Sequence, residues 1–235
     1  FSQGFICLPG REALVAERIR REKISAWKLR RMRKLARLMS FVPYVRMIGA
    51  TGSLSFKHGT KRSDWDMFIV FREGKIWLGR ILETSFLQLI GKRRHGTKIR
   101  DRACLNYFVT EDSLEIAQKD LYSAHEYQHL IPLYGREVFD RFQLANRWIK
   151  NFKPSFAPLL VMNRLSLPAS HFQQVAQSFL ETVFNLVPAG LSASWQREKI
   201  RKNPKTGLAG SLIEATDRAL IFLPSPRGPK VFTAF

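Results

Sequence analysis

Two carboxylates, those of Asp64 and Asp66, stand at the start of an apolar run with only Trp65 between them. Side chains two residues apart on a strand project to the same side, so we expect these carboxylates to lie close together. They repel each other unless a cation neutralises them, and burial without such a partner is costly. Mg²⁺ is a hard cation that takes carboxylate and phosphate oxygens together. The pair therefore predicts a site for Mg²⁺ or Mn²⁺.

A Gly-Ser pair, Gly52 and Ser53, precedes these carboxylates by a ten-residue spacer. Such a turn after a strand exposes backbone N–H groups and allows an anion to approach closely, and a helix that begins there adds partial positive charge. The pair is a candidate phosphate seat that lacks a Walker lysine motif. Lys57 and Lys61 lie between the two motifs, and only this proximity makes them candidate phosphate ligands.

The segments around these residues predict the elements that position them. Apolar runs and breaks predict strands at Val45–Ala50, Asp66–Phe71 and Ala103–Val109, a helical turn at Leu54–Lys57, a buried helix at Ile76–Ile90 and a basic loop at Lys92–Arg102. The order helix, strand, turn, strand, helix, strand is typical of an α+β unit with a small mixed sheet and flanking helices.

Residues 11–40 predict a basic helix that precedes this unit. Apolar residues recur at three- to four-residue steps, at Leu14, Val15, Ile19, Ile24, Trp27, Met32, Leu35 and Met39. Ten basic residues, Lys28 among them, occupy the other faces. Such a surface is typical of a solvated helix or an RNA contact and, less well, of a membrane-surface contact.

From Leu121 onward the pattern is helical, with periodic segments at Phe139–Phe152 and Ala169–Val187. The second segment has one apolar face, made of Phe172, Val175, Ala176, Phe179, Val183 and Phe184. In the tail, Ala219–Leu223 and Val231–Phe235 are candidates for a strand or an extended packing arm.

The bulk composition restricts the classes of partner. The chain has 235 residues, 45% of them hydrophobic, and carries 39 Lys+Arg against 19 Asp+Glu, a net charge of +20. This charge favours a polyanion such as RNA or a nucleotide as ligand.

Cys7 and Cys104 are the only cysteines, which excludes a disulfide framework and fits a reducing cytoplasm. No apolar run reaches the length of a membrane span, so we expect no transmembrane segment. Because the sequence starts at Phe1 and not at Met, we expect the natural start elsewhere.

Gly52-Ser53, the ten-residue spacer and Asp64-Trp65-Asp66-Met67 together resemble the motif of the nucleotidyltransferase superfamily, which has the polymerase-β-like fold. The resemblance covers about residues 40–112, and the strand–helix–strand order that follows agrees with it. The segments CLNYF at 104–108 and DLYSAHE at 120–126 are similar to uncharacterised bacterial proteins with this domain. Together with the helical patterns on either side, the resemblance predicts three parts, a basic helical segment at 1–40, a nucleotidyltransferase core at 41–120 and a helical region at 121–235.

The resemblance also implies roles for single residues. Gly52 and Ser53 would hold the β- and γ-phosphates of a nucleoside triphosphate, and Asp64 and Asp66 would ligate Mg²⁺. The expected activity is transfer of a nucleoside monophosphate from the triphosphate to an acceptor, with release of pyrophosphate. RNA and protein are both candidate acceptors, and the sequence carries no signal for the choice, for the base preference or for the oligomeric state.

Active members of this superfamily usually carry a third carboxylate on the next strand, where Asn106 stands in this chain. An amide neither neutralises charge nor acts as a base. Three interpretations stay open. Asp101, Glu111 or Asp112 substitutes for the missing acid, the enzyme works with one firmly held metal, or a degenerate domain binds nucleotide or RNA without transferring anything.

The segment His125-Glu126-Tyr127-Gln128-His129 matches H-E-x-x-H, the signature of zinc peptidases. On a helix both histidines would share a face, and Glu126 would serve as base. A third ligand at a usual spacing is not evident. Zinc peptidase is therefore a minor alternative to the nucleotidyltransferase, and two ordinary surface histidines are the simpler interpretation.

Overall fold

A six-stranded mixed sheet forms the centre of the computed structural model, which describes residues 4–157, 166–187 and 189–226. The strands are β1 (Val45–Ala50), β2 (Trp65–Phe71), β3 (Ala103–Thr110), β4 (Ile131–Tyr134), β5 (Leu212–Ala215) and β6 (Ala219–Leu223). The helices are α1 (Ala13–Met39), α2 (Gly52–Ser55), α3 (Ile76–Leu89), α4 (Leu121–Gln128), α5 (Arg136–Ala145), α6 (His171–Phe184) and α7 (Ala189–Arg201), with 3₁₀ turns at Arg147–Asn151 and Pro204–Gly207. The predicted α+β class is confirmed.

The strands lie in the order β4-β1-β2-β3-β6-β5. β2 and β3 are parallel and are connected through α3, whereas the other neighbouring pairs are antiparallel. Ala50 at the end of β1 pairs with Met67 of β2 and with Ile131 of β4. The end of β1 and the starts of β2, β3 and β4 therefore meet at one end of the sheet, which we call the upper end.

Both faces of the sheet are covered. Met67, Ile69 and Phe71 of β2 pack in a core with α1 and α3, whereas Phe68 and Val70 pack in a second core with α4 and α5. Because β2 is buried on both faces, it appears in the sequence as a continuous apolar run.

Helix α1 confirms the predicted basic helix, but its buried face differs from the predicted one. Leu14 and Trp27 were expected in the core and are 60% and 49% exposed. Lys28 was expected on a solvated face and is buried. Its Nζ donates to Asp101 Oδ1 at 2.8 Å and to two backbone carbonyls, which replace the water that a buried ammonium loses.

The prediction that the chain stays helical from Leu121 onward is wrong at β4 and β5. These four-residue strands pair with β1 and β6, and they are too short for an alternating pattern to distinguish them. Ala219–Leu223 is strand β6, beside β3. The other tail candidate, Val231–Phe235, lies outside the described residues.

Helix α6 forms where it was predicted but turns its polar side to the core. The exposed members of the predicted apolar face are Phe172, Val175, Phe179 and Val183. Gln177 Nε2 donates to the carbonyls of Val42 and Val45, and Glu181 accepts the N–H of Tyr44 at 2.9 Å. These backbone groups lie in the connection from α1 to β1 and at the first residue of β1. They need partners once buried, so hydrogen bonding outweighs the apolar periodicity.

Candidate functional site

The upper end of the sheet brings the two sequence motifs together. Gly52 and Ser53 begin α2 just after β1, Asp66 is the second residue of β2, and Asp64 directly precedes that strand. The N–H of Thr51 donates to the carbonyl of Asp66 at 3.1 Å, which joins the two segments. The ten-residue spacer therefore leaves the upper end and returns to it.

Only glycine fits at position 52. The φ of Gly52 is +66°, and a Cβ there would collide with the carboxylate of Asp66. The absence of a side chain thus permits the close contact between the turn and the carboxylate. Helix α2 begins at Gly52 and not at Leu54 as expected. As first residues of a helix, Gly52 and Ser53 have N–H groups without an acceptor inside that helix.

Asp64, Asp66 and Cys104 form one cluster. A ligand atom from each residue lies within 4.8 Å of the other two, and all three residues are partly buried. Within the described part of the chain, this is the only such group of three or more His, Cys, Asp or Glu side chains. Carboxylate oxygens suit a hard divalent cation, whereas a thiolate suits a softer one.

The strand register decides which residue of β3 joins the carboxylates. Cys104 pairs with Asp66 across the parallel ladder, and the ladder is irregular between Leu105 and Tyr107. Asn106, the residue selected from the sequence, falls at this irregularity and not opposite Asp66. Spacing alone could not identify Cys104, because an irregular register leaves no signal in the local sequence.

The acids that flank β3 have partners elsewhere. The ion pairs are Asp101 with Lys28 at 2.8 Å, Glu111 with Arg141 at 3.2 Å and Asp112 with Arg218 at 3.3 Å. Burial acts to raise the pKa of Asp101, but the hydrogen bond and charge of Lys28 outweigh it and lower this pKa. None of these three candidate substitutes joins the cluster of Asp64, Asp66 and Cys104.

Arg94 is the cation that meets the carboxylates. Its Nη1 donates to Asp64 Oδ2 at 2.6 Å and lies 3.2 Å from Cys104 Sγ. Its N–H donates to the carbonyl of Ala103 at 2.9 Å, which holds the loop before β3 beside the start of that strand. Arg94 stands in the loop predicted to be basic, but the sequence contains no sign that this residue, among its basic neighbours, reaches Asp64.

Cys104 contributes no negative charge at neutral pH. Burial raises the pKa of its thiol to about 12, and the charges of Asp66 and Asp64 act in the same direction. A protonated thiol neither neutralises a cation nor accepts a proton from an attacking hydroxyl. The thiol therefore adds no charge to the cluster, and Arg94 stands beside Asp64 as a cation.

The two candidate lysines have separate environments. Lys57 Nζ pairs with Glu22 of α1 at 2.6 Å, so its ammonium is engaged away from the carboxylate cluster. Lys61 lines a cleft against α1, and its carbonyl accepts a hydrogen bond from Lys28. Although Lys57 and Lys61 are close in sequence, their side chains have different surroundings in the structure.

The rings of His125 and His129 contact Phe56 near the upper end of the sheet, with centroids 4.8 and 5.3 Å from that of Phe56, the first tilted and the second edge-on. His129 Nδ1 lies 2.9 Å from the carbonyl of His125 and therefore donates to it. Over the described ranges, no third metal-ligating side chain gathers with the two histidines. The structure thus offers no three-ligand zinc cluster at the H-E-x-x-H segment.

One large cavity lies away from the carboxylate cluster. It has a volume of about 600 Å³ and lies beyond the end of β3, between Glu111, Leu114 and Arg141. Cys104 lies at the opposite end of the same strand. The second cavity, about 420 Å³, lies between α1 and the loops that lead to the upper end. We place the candidate site at the upper end because the metal-ligating groups converge there.

Comparison of the chain with protein-family models, curated proteins and solved structures gives no match. In the part of the chain that the structure describes, no helix is both long enough and apolar enough to cross a membrane.

Proposed function

We propose that the chain is a Mg²⁺-dependent nucleotidyltransferase, which transfers a nucleoside monophosphate from a nucleoside triphosphate to an acceptor. The observation that carries the proposal is the contact between the Gly52–Ser53 turn and Asp66, with Asp64 beside it at the upper end of the sheet. A phosphate seat and a cation site in contact are what a metal-bound triphosphate requires. In the reaction, the acceptor oxygen bonds to the α-phosphorus, the bond to the pyrophosphate oxygen breaks and the acceptor proton is released.

The donor set fits the proposed metal in part. Asp64 and Asp66 would hold Mg²⁺ or Mn²⁺, with Cys104 remaining a neutral neighbour, since a thiol is a poor ligand for these hard ions. The bound ion would neutralise charge on the phosphate oxygens.

The chain's own groups would then position the triphosphate. The N–H groups of Gly52 and Ser53 would donate to a phosphate, because they have no acceptor inside the helix that begins there. Arg94 is 42% exposed and would exchange Asp64 for a phosphate oxygen, because a guanidinium binds both kinds of oxyanion.

A second function, nucleotide binding without transfer, is favoured by Cys104 and Arg94. A protonated thiol and no third carboxylate lies beside Asp64 and Asp66 in the described part of the chain, and Arg94 already pairs with Asp64. In that case the domain would hold a nucleotide as a ligand only.

Two measurements on the same variants separate these functions. The first is binding of a labelled nucleoside triphosphate with and without Mg²⁺, and the second is transfer of its α-phosphate label to cellular RNA or protein. Asp64→Asn and Asp66→Asn should abolish Mg²⁺-dependent binding. Asp112→Asn, which removes the same charge at the other end of β3, should not.

Binding with Asp64-dependent transfer supports the enzyme, and binding without transfer supports the second function. If Mg²⁺ does not promote binding, or if Asp64→Asn leaves it intact, both functions are rejected.

A further inference from the structure

A cleft of about 420 Å³ opens on the α1 side of the loops that lead into β2 and β3. Its lining consists of Lys23, Ile24, Trp27, Lys28, Lys61 and Arg100. Lys61 precedes Asp64 by three residues, and Arg100 precedes Cys104 by four. Both loops of the cleft thus continue directly into the strands that carry the carboxylate cluster.

Lys28 fastens the walls of the cleft to each other. Its buried Nζ donates to the carbonyls of Lys61 and Ser63 at 3.1 and 2.7 Å, and to Asp101 Oδ1 at 2.8 Å. One side chain of α1 therefore holds the loop before β2 and the loop before β3. Because these hydrogen bonds already hold both loops, a ligand that binds in the cleft does not lose affinity to the ordering of the loops.

Trp27 gives the cleft an aromatic surface. It is 49% exposed, and the guanidinium of Arg31 lies 4.5 Å from its ring centroid. Arg31 also pairs with Asp101 at 3.1 Å, so the position of the cation against the indole is supported from the second loop. Arg31 covers part of the indole, and the rest of Trp27 together with Ile24 offers apolar surface inside a cationic rim.

The rim of the cleft is strongly basic. Lys23, Lys61 and Arg100 are exposed, and none of the six lining residues is acidic. The chain as a whole has a net charge of +20. A polyanion with flat apolar groups between its charges matches both the rim and the floor.

We propose that this cleft binds a single-stranded nucleic acid, with one base against Trp27 and its neighbouring phosphates at Lys23, Lys61 and Arg100. Base stacking on an aromatic side chain combined with phosphate contacts to a basic groove is the general mode of single-strand binding. The further step, that the bound strand is the acceptor, rests on the proposed nucleotidyltransferase function. Binding itself does not depend on that function.

The shape of the site favours a nucleic acid over two other anionic partners. An anionic membrane binds several apolar residues on one protruding face, whereas Trp27 and Ile24 are the only apolar residues that line this cleft. An acidic peptide matches the rim but offers no regular series of planar rings for Trp27. Both partners are included as outcomes of the test.

The test is fluorescence anisotropy of labelled twelve-nucleotide RNA and DNA strands with the full chain. Trp27→Leu removes the ring and should weaken binding about 10-fold or more, whereas Trp27→Phe should retain most of it. Trp195→Leu is the control, because Trp195 is also an exposed tryptophan beside a cation, Lys199 at 5.0 Å, but lies on α7. It should bind as the wild type does.

The charge contacts are tested through the salt dependence of binding. Lys61→Gln and Arg100→Gln should each reduce the slope of log K against log salt by about 0.7, the value for one phosphate contact on a single strand. Lys205→Gln, an exposed lysine remote in sequence, should leave the slope unchanged. Comparison of the affinities for the RNA and DNA strands shows which of the two nucleic acids the cleft prefers.

Equal affinity of Trp27→Leu and wild type for both strands overturns the proposal, as does unchanged salt dependence in the two charge variants. Tighter, Trp27-dependent binding of a poly-glutamate peptide or of phosphatidylserine vesicles also overturns it. Because nucleoside triphosphate binding is tested separately through Asp64→Asn, failure of this cleft and failure of the proposed function give different results.

Discussion

Arg94 Nη1 lies 2.6 Å from Asp64 Oδ2, so the chain supplies a cation of its own to the paired carboxylates. A divalent ion held by Asp64 and Asp66 would compete with this guanidinium for the same oxygen. The contact therefore links the affinity of the cluster for metal to the position of the loop that carries Arg94.

Replacement of Arg94 should increase the stabilisation of the fold by a divalent metal ion. Arg94→Ala removes the ion pair with Asp64, so the free energy of unfolding without metal should fall by roughly 0.2–1 kcal/mol, the range for an exposed pair. Mg²⁺ or Mn²⁺ should then raise the Tm of the variant more than that of the wild type, because ions that bind only the folded state stabilise it.

Thermal unfolding with increasing MgCl₂ measures this difference. Arg218→Ala is the control, since it breaks a comparable ion pair with Asp112 at the other end of β3. Equal Mg²⁺-dependent shifts in wild type and Arg94→Ala would contradict competition at Asp64.

Gly52→Ala should destabilise the fold and displace Asp66. A residue with a side chain is strained at φ +66°, and the new Cβ would overlap the carboxylate. Gly74→Ala is a matched control, because Gly74 has φ +69° and no atom within 4 Å of an added Cβ. We expect a loss of about 1 kcal/mol for Gly74→Ala from backbone strain and about 2–4 kcal/mol for Gly52→Ala from strain and overlap. Urea unfolding measures both, and equal losses would exclude the contact with Asp66.

Glu83 predicts a dependence of stability on pH. It is fully buried in α3, neither carboxylate oxygen has a hydrogen-bond partner among the described residues, and burial raises its pKa well above the usual range. Below the unfolded-state pKa of about 4.3, the Glu83 carboxyl group is protonated in both states and its burial carries no charge penalty. As pH rises above that value, the unfolded chain releases the proton while the folded chain keeps it, so the free energy of unfolding falls until the pH reaches the folded-state pKa.

Glu83→Gln should therefore match the wild type near pH 4 and become more stable than it as pH rises. The difference in unfolding free energy should grow by at most about 1.4 kcal/mol per pH unit. Urea unfolding from pH 4 to 8 measures it, with the exposed Glu115→Gln as the control that should show no such trend. A pH-independent difference for Glu83→Gln would show that the carboxyl group is not held protonated.

The buried pair of Lys28 and Asp101 should be strongly coupled. Lys28→Met leaves Asp101 without its closest cation and should cost about 3–5 kcal/mol, whereas Lys28→Met with Asp101→Leu should cost less than the sum of the single changes. A double-mutant cycle by urea unfolding measures the coupling. The exposed pair Glu115 and Lys119 should give about 0.5 kcal/mol or less in the same cycle, and a similar value for Lys28 and Asp101 would refute the prediction.

Local patterns were enough to predict the elements around the candidate site. β1, β2, β3 and α3 form at the predicted positions because continuous apolar runs and their breaks are short-range signals. The alternation of side chains along a strand also brought Asp64 and Asp66 together without reference to any other part of the chain.

Contacts distant in sequence determined the features that were not predicted. Cys104 joins the carboxylates through the register between β2 and β3, and Arg94 reaches Asp64 across 30 residues. Gln177 and Lys28 are buried because backbone carbonyls and Asp101 from other segments need hydrogen-bond donors there. Sequence periodicity records the apolar surface that a segment offers, whereas register and burial of polar groups depend on which partners the folded chain brings to that segment.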